Sequence, residues 1–361
     1  MHEISETSLT KDFVKISRYA GSRFDLVQAS GGNTSVKLDG ERLLIKASGV
    51  HLSEVNAQEG FVSVQYPKII EILNKKDLSS ISTKSEREAV AAQLVLAATQ
   101  TIGASKRASI EVFLHAMLRR FVLHTHPLAV NMIVCQKNWR QYLITNFPDA
   151  LLVPYATPGI ELGVLLNSSL NTQDVGRDSI PKVIFLQNHG LIINAESIEE
   201  VVRLTEEVVL RCEKICSLDL SKYREATKLN EFLGDELVCY LSEDRELDDL
   251  LRTGSHPIFH KPCVPDTFVF CGVEPLYLEN LNSQTPLRDY REKFHDTPKV
   301  VILNGRHYFV AKNIKKAKEI EDVYKAHILV LSQIKQNCAY LSDSEFAYLG
   351  NWEAEKYRQQ K

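Results

Sequence analysis

No run in this 361-residue chain approaches the roughly 20 apolar residues that a membrane-spanning helix requires. The opening segment, MHEISETSLTKDF, has neither the charged nor the apolar region of a signal peptide, so a cytoplasmic setting is expected. A basic excess is missing too. The 43 Lys and Arg against 46 Asp and Glu leave a net charge of −3. That argues against a general nucleic-acid surface but leaves room for a local basic pocket around a small anion. The seven cysteines contain no CxxC pair. Cys135, Cys212, Cys216, Cys239, Cys263, Cys271 and Cys338 are therefore expected as reduced thiols, mostly buried small residues. Neither GxGxxG nor Walker spacing occurs, which leaves dinucleotide or ATP use without support. Internal repeats and low-complexity tracts are absent as well.

What is present is ordinary globular composition, 44% apolar and 25% charged. The length predicts one large or two ordinary domains, with a core that needs neither disulfide nor structural metal. The patterning predicts a first helix over 9–21, then a Gly-rich turn at Ser30-Gly31-Gly32-Asn33-Thr34-Ser35. Strands at Ser35–Leu38 and Leu43–Lys46 flank an Asp39-Gly40 hairpin turn, and Ala47-Ser48-Gly49 closes the pair. A helix is expected over 86–101 with Ser82 or Ser85 as its cap, and a second over 109–120. Phe121–His126 reads as a strand and Pro127 as the start of a helix. Val183–Leu186 and Leu191–Asn194 read as strands, and Ser197 with Glu200 forms a capping-box pattern ahead of a further helix. Alternating strands and helices predict an α/β layered fold. Residues 218–255 read as a helical connector. Beyond it strands are expected near Thr267–Cys271, Val300–Leu303 and His307–Ala311, followed by a helix over 313–336. The boundary falls near 217, giving units 1–217 and 218–361.

His124-Thr125-His126 is the sharpest chemical feature. Residues two apart on a strand share a face, so both imidazoles can converge on one ion. His189 lies in the tight Gln187-Asn188-His189-Gly190 turn between two apolar strands, where a side chain projects from the end of a sheet. His124, His126 and His189 supply the three protein ligands that catalytic zinc takes with one position open. By spacing alone the alternative, a histidine that merely caps the turn, stands beside it. Glu111 lies thirteen residues before His124, in the expected first helical turn. A carboxylate there serves either as a general base or as a stabilising helix-end charge. The small residues at 30–35 and at Ser48-Gly49 are candidate anion cradles. His115, one helical turn after Glu111 on roughly the same face, reads either as a group supporting the site from behind or, the preferred reading, as a satisfied core histidine. His256 and His260 read as loop residues.

The motifs SGGNTS at 30–35, KASG at 46–49, SIE at 109–111, HTHP at 124–127 and NHG at 188–190 occur in one order. In that combination the chain resembles the class II aldolase/adducin family over about residues 10–215. The resemblance implies a three-layer α/β/α sandwich with a central, mainly antiparallel sheet, to which residues 218–361 add an α+β extension. It implies a homotetramer, with Zn²⁺ or another divalent metal held by His124, His126 and His189. It implies Glu111 as the acid/base and Gly32, Asn33, Ser48, Gly49 and Ser109 as substrate- or phosphate-binding residues. A tyrosine acid is expected by the same resemblance, with Tyr155 only a guess. SIEVFLHAML, VPYATPG and FLQNHGLI look like the aldolase half of bifunctional rhamnulose-1-phosphate aldolase/alcohol dehydrogenase proteins. HKPCVPDTFVFCG and LSDSEFAYLGNWEAEKYR look like the extension that follows that half. Without a Rossmann fingerprint, the chain reads as a stand-alone aldolase half. Two departures bear on the phosphate pocket: Ile110 stands where well-studied members carry a second serine, and Ala47 where many carry proline.

The activity implied is metal-dependent reversible aldol cleavage of a ketose, most naturally a ketose 1-phosphate, through a metal-stabilised enediolate. The partner is a small sugar or sugar phosphate, not nucleic acid or membrane. Two alternatives remain. One is epimerisation of a pentulose phosphate, or sugar dehydration, on the same metal. The other is an adducin-like scaffold without catalysis.

Overall fold

Period-two alternation of apolar side chains, on both faces of the strands, dictates the layering of the first part of the chain. In the computed structural model, residues 5–74, 81–100, 107–171, 179–234, 237–253, 261–334 and 337–351 are described. The chain divides into two units, Met1–Leu220 and Ser221–Lys361. The first contains β1 (Asn33–Lys37), β2 (Arg42–Lys46), β3 (Phe61–Gln65), β4 (Thr99–Gln100), β5 (Phe121–Thr125), β6 (Leu151–Val153), β7 (Val183–Leu186) and β8 (Gly190–Ala195). They form one sheet in the order β4-β3-β2-β1-β5-β8-β7-β6. All neighbours are antiparallel except β6 and β7.

Its helices are α1 (Glu6–Gly21), α2 (Tyr66–Leu73), α3 (Lys84–Ala98), α4 (Val112–Met117), α5 (Leu128–Val134), α6 (Trp139–Asn146), α7 (Ile160–Asn171) and α8 (Ile198–Cys216). Val36, Leu44, Leu123, Leu191 and Ile193 of the strands pack with Phe13 and Ile16 of α1, Val130 of α5, Leu143 of α6 and Val208 of α8. Residues one step away point oppositely. Leu43 and Ile45 pack with Ile69 of α2 and Phe113 of α4, and Val122, Ile184 and Ile192 with Leu114 of α4 and Leu162 of α7. A sheet buried on both faces needs helices on both, and the result is the expected α/β/α sandwich.

Local boundaries differ from the sequence reading where local signals compete. Thr83, rather than Ser82 or Ser85, caps α3, accepting from the Glu86 N–H at 3.3 Å. The helix expected over 109–120 shrinks to Val112–Met117, because Leu118 is extended and leads the chain into β5. Asn33 and Thr34, expected in a turn, already belong to β1. Ser197 caps α8 as expected, accepting from Glu200 N–H.

The second unit contains α9 (Ser221–Leu233), β9 (Val238–Leu241), α10 (Arg245–Arg252), α11 (Pro265–Cys271), β10 (Leu276–Leu278), α12 (Thr285–Phe294), β11 (Val300–Leu303), β12 (Arg306–Ala311), α13 (Ile314–Ile334) and α14 (Asp343–Asn351). Its sheet runs β10-β11-β12-β9. The expected connector therefore supplies an edge strand, β9. Thr267–Cys271 is helix rather than strand, because Pro265 sits in the first helical turn, where its fixed φ and missing N–H suit a helix start. Phe309, Ala317, Tyr324 and Ile328 form its core. Cys263 and Cys338 are joined as a disulfide, correcting the expectation of seven reduced thiols; Cys212, Cys239 and Cys271 are free and buried. Among the described residues, no helix is long and apolar enough to cross a membrane.

Candidate active site

His124 lies on β5 with its side chain on the α4 face of the sheet, because Val122, two residues earlier, packs there. Next to β5 runs β8, and the β7–β8 turn brings His189 alongside. That turn needs a left-handed residue, supplied by Asn188 (φ 52°). Gly190 then passes so close to β5 that a Cβ would stand 2.3 Å from the Thr125 carbonyl oxygen. On the other side, β1 pairs Asn33 with His124, and Gly32 (φ +66°) has no room for a Cβ, which would lie 2.7 Å from the His124 carbonyl oxygen. Both glycine-bearing turns thus let the backbone close in around the histidines.

The three imidazoles converge. His124 Nε2 lies 3.2 Å from His189 Nε2 and 3.1 Å from His126 Nε2. Tetrahedral zinc at about 2.0–2.1 Å from each nitrogen would place them about 3.3 Å apart. The donor chemistry agrees. Nδ1 of His124 lies 3.0 Å from the Leu191 carbonyl oxygen, which can only accept. The ring proton therefore sits on Nδ1, and Nε2 offers a bare lone pair. Burial lowers the His124 pKa to about 3 and lowers that of His126, so both rings stay neutral, as ligation demands. Three side chains able to hold one ion are grouped here, and the residues fit a divalent metal.

Glu111 completes the cluster, with Oε1 3.1 Å from His189 Nε2 and Oε2 3.4 Å from His124 Nε2. Burial by itself would raise its pKa. The adjoining His124 and His189 and a hydrogen bond from Asn33 outweigh that and hold it well below the usual carboxylate range. Glu111 is not within a helical turn, as expected, but is the cap residue before α4. Oε1 is buried without a hydrogen-bond partner among the described residues.

The expected substrate-binding residues fall into two groups. Asn33 and Ser109 adjoin Glu111, and Gly32 lies against the His124 backbone. Asn33 does not present its amide to an open cradle: Nδ2 donates to Glu111 Oε2 at 2.6 Å and to Ser109 Oγ at 3.2 Å. Ser48 is exposed and, with Ser109, Ile110, Phe113, Gln93 and Arg107, lines a cleft of about 300 Å³ beside α3. Gly49 (φ +76°) follows Ser48 in an open turn with free space around it. Tyr155 is exposed, with its N–H donating to Gln187 Oε1. His256 and His260 lie outside the described residues.

Three residues of the site escaped the sequence reading. Lys46 is buried, and its ammonium donates to the carbonyls of Ser30 at 3.2 Å and Val50 at 2.7 Å, tying the two glycine turns together. Burial lowers its pKa to about 8 against the opposing pull of Glu111. Lys46 opens the KASG motif, where a lysine at a strand end gives no local sign of burial. Arg23 and Asp25 form a buried two-point pair at 3.0 and 2.5 Å. The carbonyls of Asp25 and Leu26 accept from the N–H groups of Leu128 and His126, which places the backbone of one imidazole.

Buried neutral rings have a pH consequence. His115 and His124 have folded pKa values near 3 against an ordinary 6.5. Between those values the unfolded chain binds more protons, so stability falls as pH drops below 6.5 towards 3. The slope is at most about 1.4 kcal/mol per pH unit for each ring. Urea midpoints of chelator-treated protein should fall from pH 7 to pH 5; equal midpoints would mean that these rings protonate freely in the fold.

Residues 11–216 match the Class II Aldolase and Adducin N-terminal domain family. The chain belongs to that family. Solved structures with a similar fold include the N-terminal class II aldolase domain of a conserved protein from Thermoplasma acidophilum. It is 24% identical over 60% of this chain and 97% of its own, with a TM-score of 0.49. An aldolase II superfamily protein from Pseudomonas syringae is 16% identical, covering 59% and 76%, at 0.40. The L-fuculose-1-phosphate aldolase from Thermus thermophilus is 15% identical, covering 58% and 94%, at 0.37. Among curated proteins, none matches this chain.

Proposed function

We propose that this chain is a zinc-dependent aldolase that reversibly cleaves a ketose 1-phosphate. The observation that carries the reading is the convergence of three imidazole Nε2 atoms beside the carboxylate of Glu111. A divalent metal held by His124, His126 and His189 would act as a Lewis acid on the ketose oxygens, drawing charge from the carbonyl as the carbon–carbon bond breaks. Glu111 moves the proton. In condensation it removes a proton from the carbon that becomes the nucleophile; in cleavage the hydroxyl that becomes the aldehyde oxygen gives up a proton, and Glu111, protonated in turn, returns one to the carbon that keeps the bonding electron pair. Its lowered pKa keeps it ionised and so able to accept the proton, and its burial keeps water from competing for the carboxylate. Ser48 and Ser109, with Arg107 beside them, offer the anionic end of the substrate a place along the cleft, and Gly49 follows Ser48 in its turn. There Ile110, 60% exposed, gives an apolar wall where a hydroxyl would otherwise stand.

The likeness of SIEVFLHAML, VPYATPG and FLQNHGLI to the aldolase half of the bifunctional rhamnulose-1-phosphate aldolase proteins supports a six-carbon deoxyketose 1-phosphate as the first compound to try. A homotetramer and a cytoplasmic setting belong to the same proposal. The test is metal analysis of tag-free protein followed by product analysis with ketose 1-phosphates. About one zinc per chain is expected, absent from His126→Ala. Two carbonyl fragments should then form from one substrate. An isomerised sugar phosphate with no fragments would make the protein an epimerase. Failure to take up metal at all would remove the mechanism and favour a scaffold role.

A further inference from the structure

Glu111 is tethered by a chain of hydrogen bonds that leads away from the metal-ligand cluster. Asn33 Nδ2 lies 2.6 Å from Glu111 Oε2. The other end of the same amide, Asn33 Oδ1, meets His115 Nε2, and His115 Nδ1 lies 2.7 Å from Ser35 Oγ. All of these side chains except that of Glu111 are anchored on regular elements: Asn33 and Ser35 two apart on β1, His115 on α4. His115 is fully buried.

Elementary chemistry orders the protons. A carboxylate accepts only, so Asn33 must turn its NH₂ to Glu111 and its oxygen to His115. That oxygen accepts only, so His115 carries its proton on Nε2. Nδ1 is then the acceptor, and Ser35 donates its hydroxyl proton to it. One direction runs through the whole chain, from Ser35 to His115 to Asn33 to Glu111.

We propose that Ser35, His115 and Asn33 are positioning residues that hold Oε2 of Glu111 and leave Oε1 as the oxygen that exchanges the proton with substrate. The inference rests on the reading of Glu111 as the proton-transfer group. Oε1 faces His189 at 3.1 Å and has no hydrogen-bond partner of its own among the described residues. Oε1 is thus placed to take the proton from the substrate carbon in condensation; in cleavage it first takes up a proton, matching the one lost by the hydroxyl that becomes the aldehyde oxygen, and returns it to the carbon released. Oε2 keeps its Asn33 bond in either protonation state of Oε1. A carboxylate held at one oxygen cannot swing away, so the second oxygen stays in line for transfer. His115 acts through Asn33 and touches neither metal nor substrate.

The test uses two replacements that a purely packing role would not distinguish. In His115→Gln the side-chain amide nitrogen reaches the place of Nε2 and keeps the bond to Asn33. In His115→Asn it reaches only the place of Nδ1, and Asn33 is released. Both variants should bind one equivalent of zinc, read by mass spectrometry. His115→Gln should keep most of its turnover. His115→Asn should lose about 10–100-fold in kcat, the range found when a supporting partner is removed, with KM little changed. A second readout needs no activity: ¹⁵N-histidine NMR of the zinc-loaded chain should show His115 as the pure Nε2–H tautomer, assigned by its loss in His115→Gln. Equal losses in the two variants, or an Nδ1–H tautomer, would overturn the proposal. A fully active Glu111→Gln would instead remove the reading of Glu111 itself, while the NMR result would still decide the hydrogen-bond chain.

Discussion

Glu111→Gln should lower turnover by about 10²–10⁴-fold, the usual worth of a positioned acid or base, while leaving about one zinc per chain. The size of the effect follows from how the carboxylate is held. Asn33 Nδ2 points a donor at Oε2, so the glutamine must set its carbonyl oxygen there. Its NH₂ group then takes the place of Oε1, the oxygen 3.1 Å from His189 Nε2. An amide nitrogen there cannot accept a proton, and the orientation cannot reverse without setting NH₂ against NH₂ at Asn33. The metal ligands are untouched, since each imidazole owes its place to β5, the turn after it, or the β7–β8 turn. Turnover measured at saturating zinc and ketose 1-phosphate checks this. Unchanged turnover would take Glu111 out of the mechanism and transfer the proton step to another group.

Much of this site was legible in the sequence because its parts obey local rules. The strand period points to His124 and His126 together. β5 ends at Thr125, so His126, expected on the strand, joins the cluster from the residue just past it. His189 stands in a turn whose Asn-His-Gly composition marks a reversal. The α/β layering, too, followed from alternating strand and helix signals, and the three-layer sandwich from the family resemblance. What stayed hidden was orientation across the sheet. Asn33 reads as a turn residue in SGGNTS, and its role at Glu111 depends on β1 starting earlier than the hairpin pattern indicates. Parity then turns Asn33 and Ser35 to the α4 side, while Thr34 turns to Ser17 of α1 at 2.6 Å. His115 reads as core on its own helix; only the pairing of β1 with β5 shows that it touches the group that holds Glu111. In the second unit, the run Thr267–Cys271 has strand-forming residues but follows a proline that starts a helix, and the local start signal prevailed over side-chain preference.

Long-range charge pairing was the least legible of all, and it carries the largest expected effect on stability. Arg23 is 1% exposed and Asp25 0%, and the third member, Glu206, comes from α8, 183 residues from Arg23 in sequence. Arg23 donates to Asp25 through Nε and Nη2 and to Glu206 through Nη1, while Tyr19 donates to Glu206 at 2.6 Å. Burial opposes the arginine's charge, but the bonds to Asp25 and Glu206 raise its pKa above even the ordinary arginine value, so it remains a cation. Removing Asp25 strands that cation in the interior, and loss of one partner of a buried pair costs about 3–5 kcal/mol. Asp25→Ala should therefore unfold at much lower urea. It should also weaken zinc binding, because the carbonyls of Asp25 and Leu26 hold Leu128 and His126. Glu206→Gln is the milder comparison: its side chain is 26% exposed and the amide keeps an oxygen for Arg23 and Tyr19, so most of the stability should survive. The contrast decides what the pair does. A loss under about 1 kcal/mol in Asp25→Ala would show that water reaches Arg23 and that the pair behaves like a surface one. A large loss in stability with zinc affinity intact, measured well below the unfolding transition, would make the pair a device of the fold and leave the placing of His126 to the turn after β5 alone.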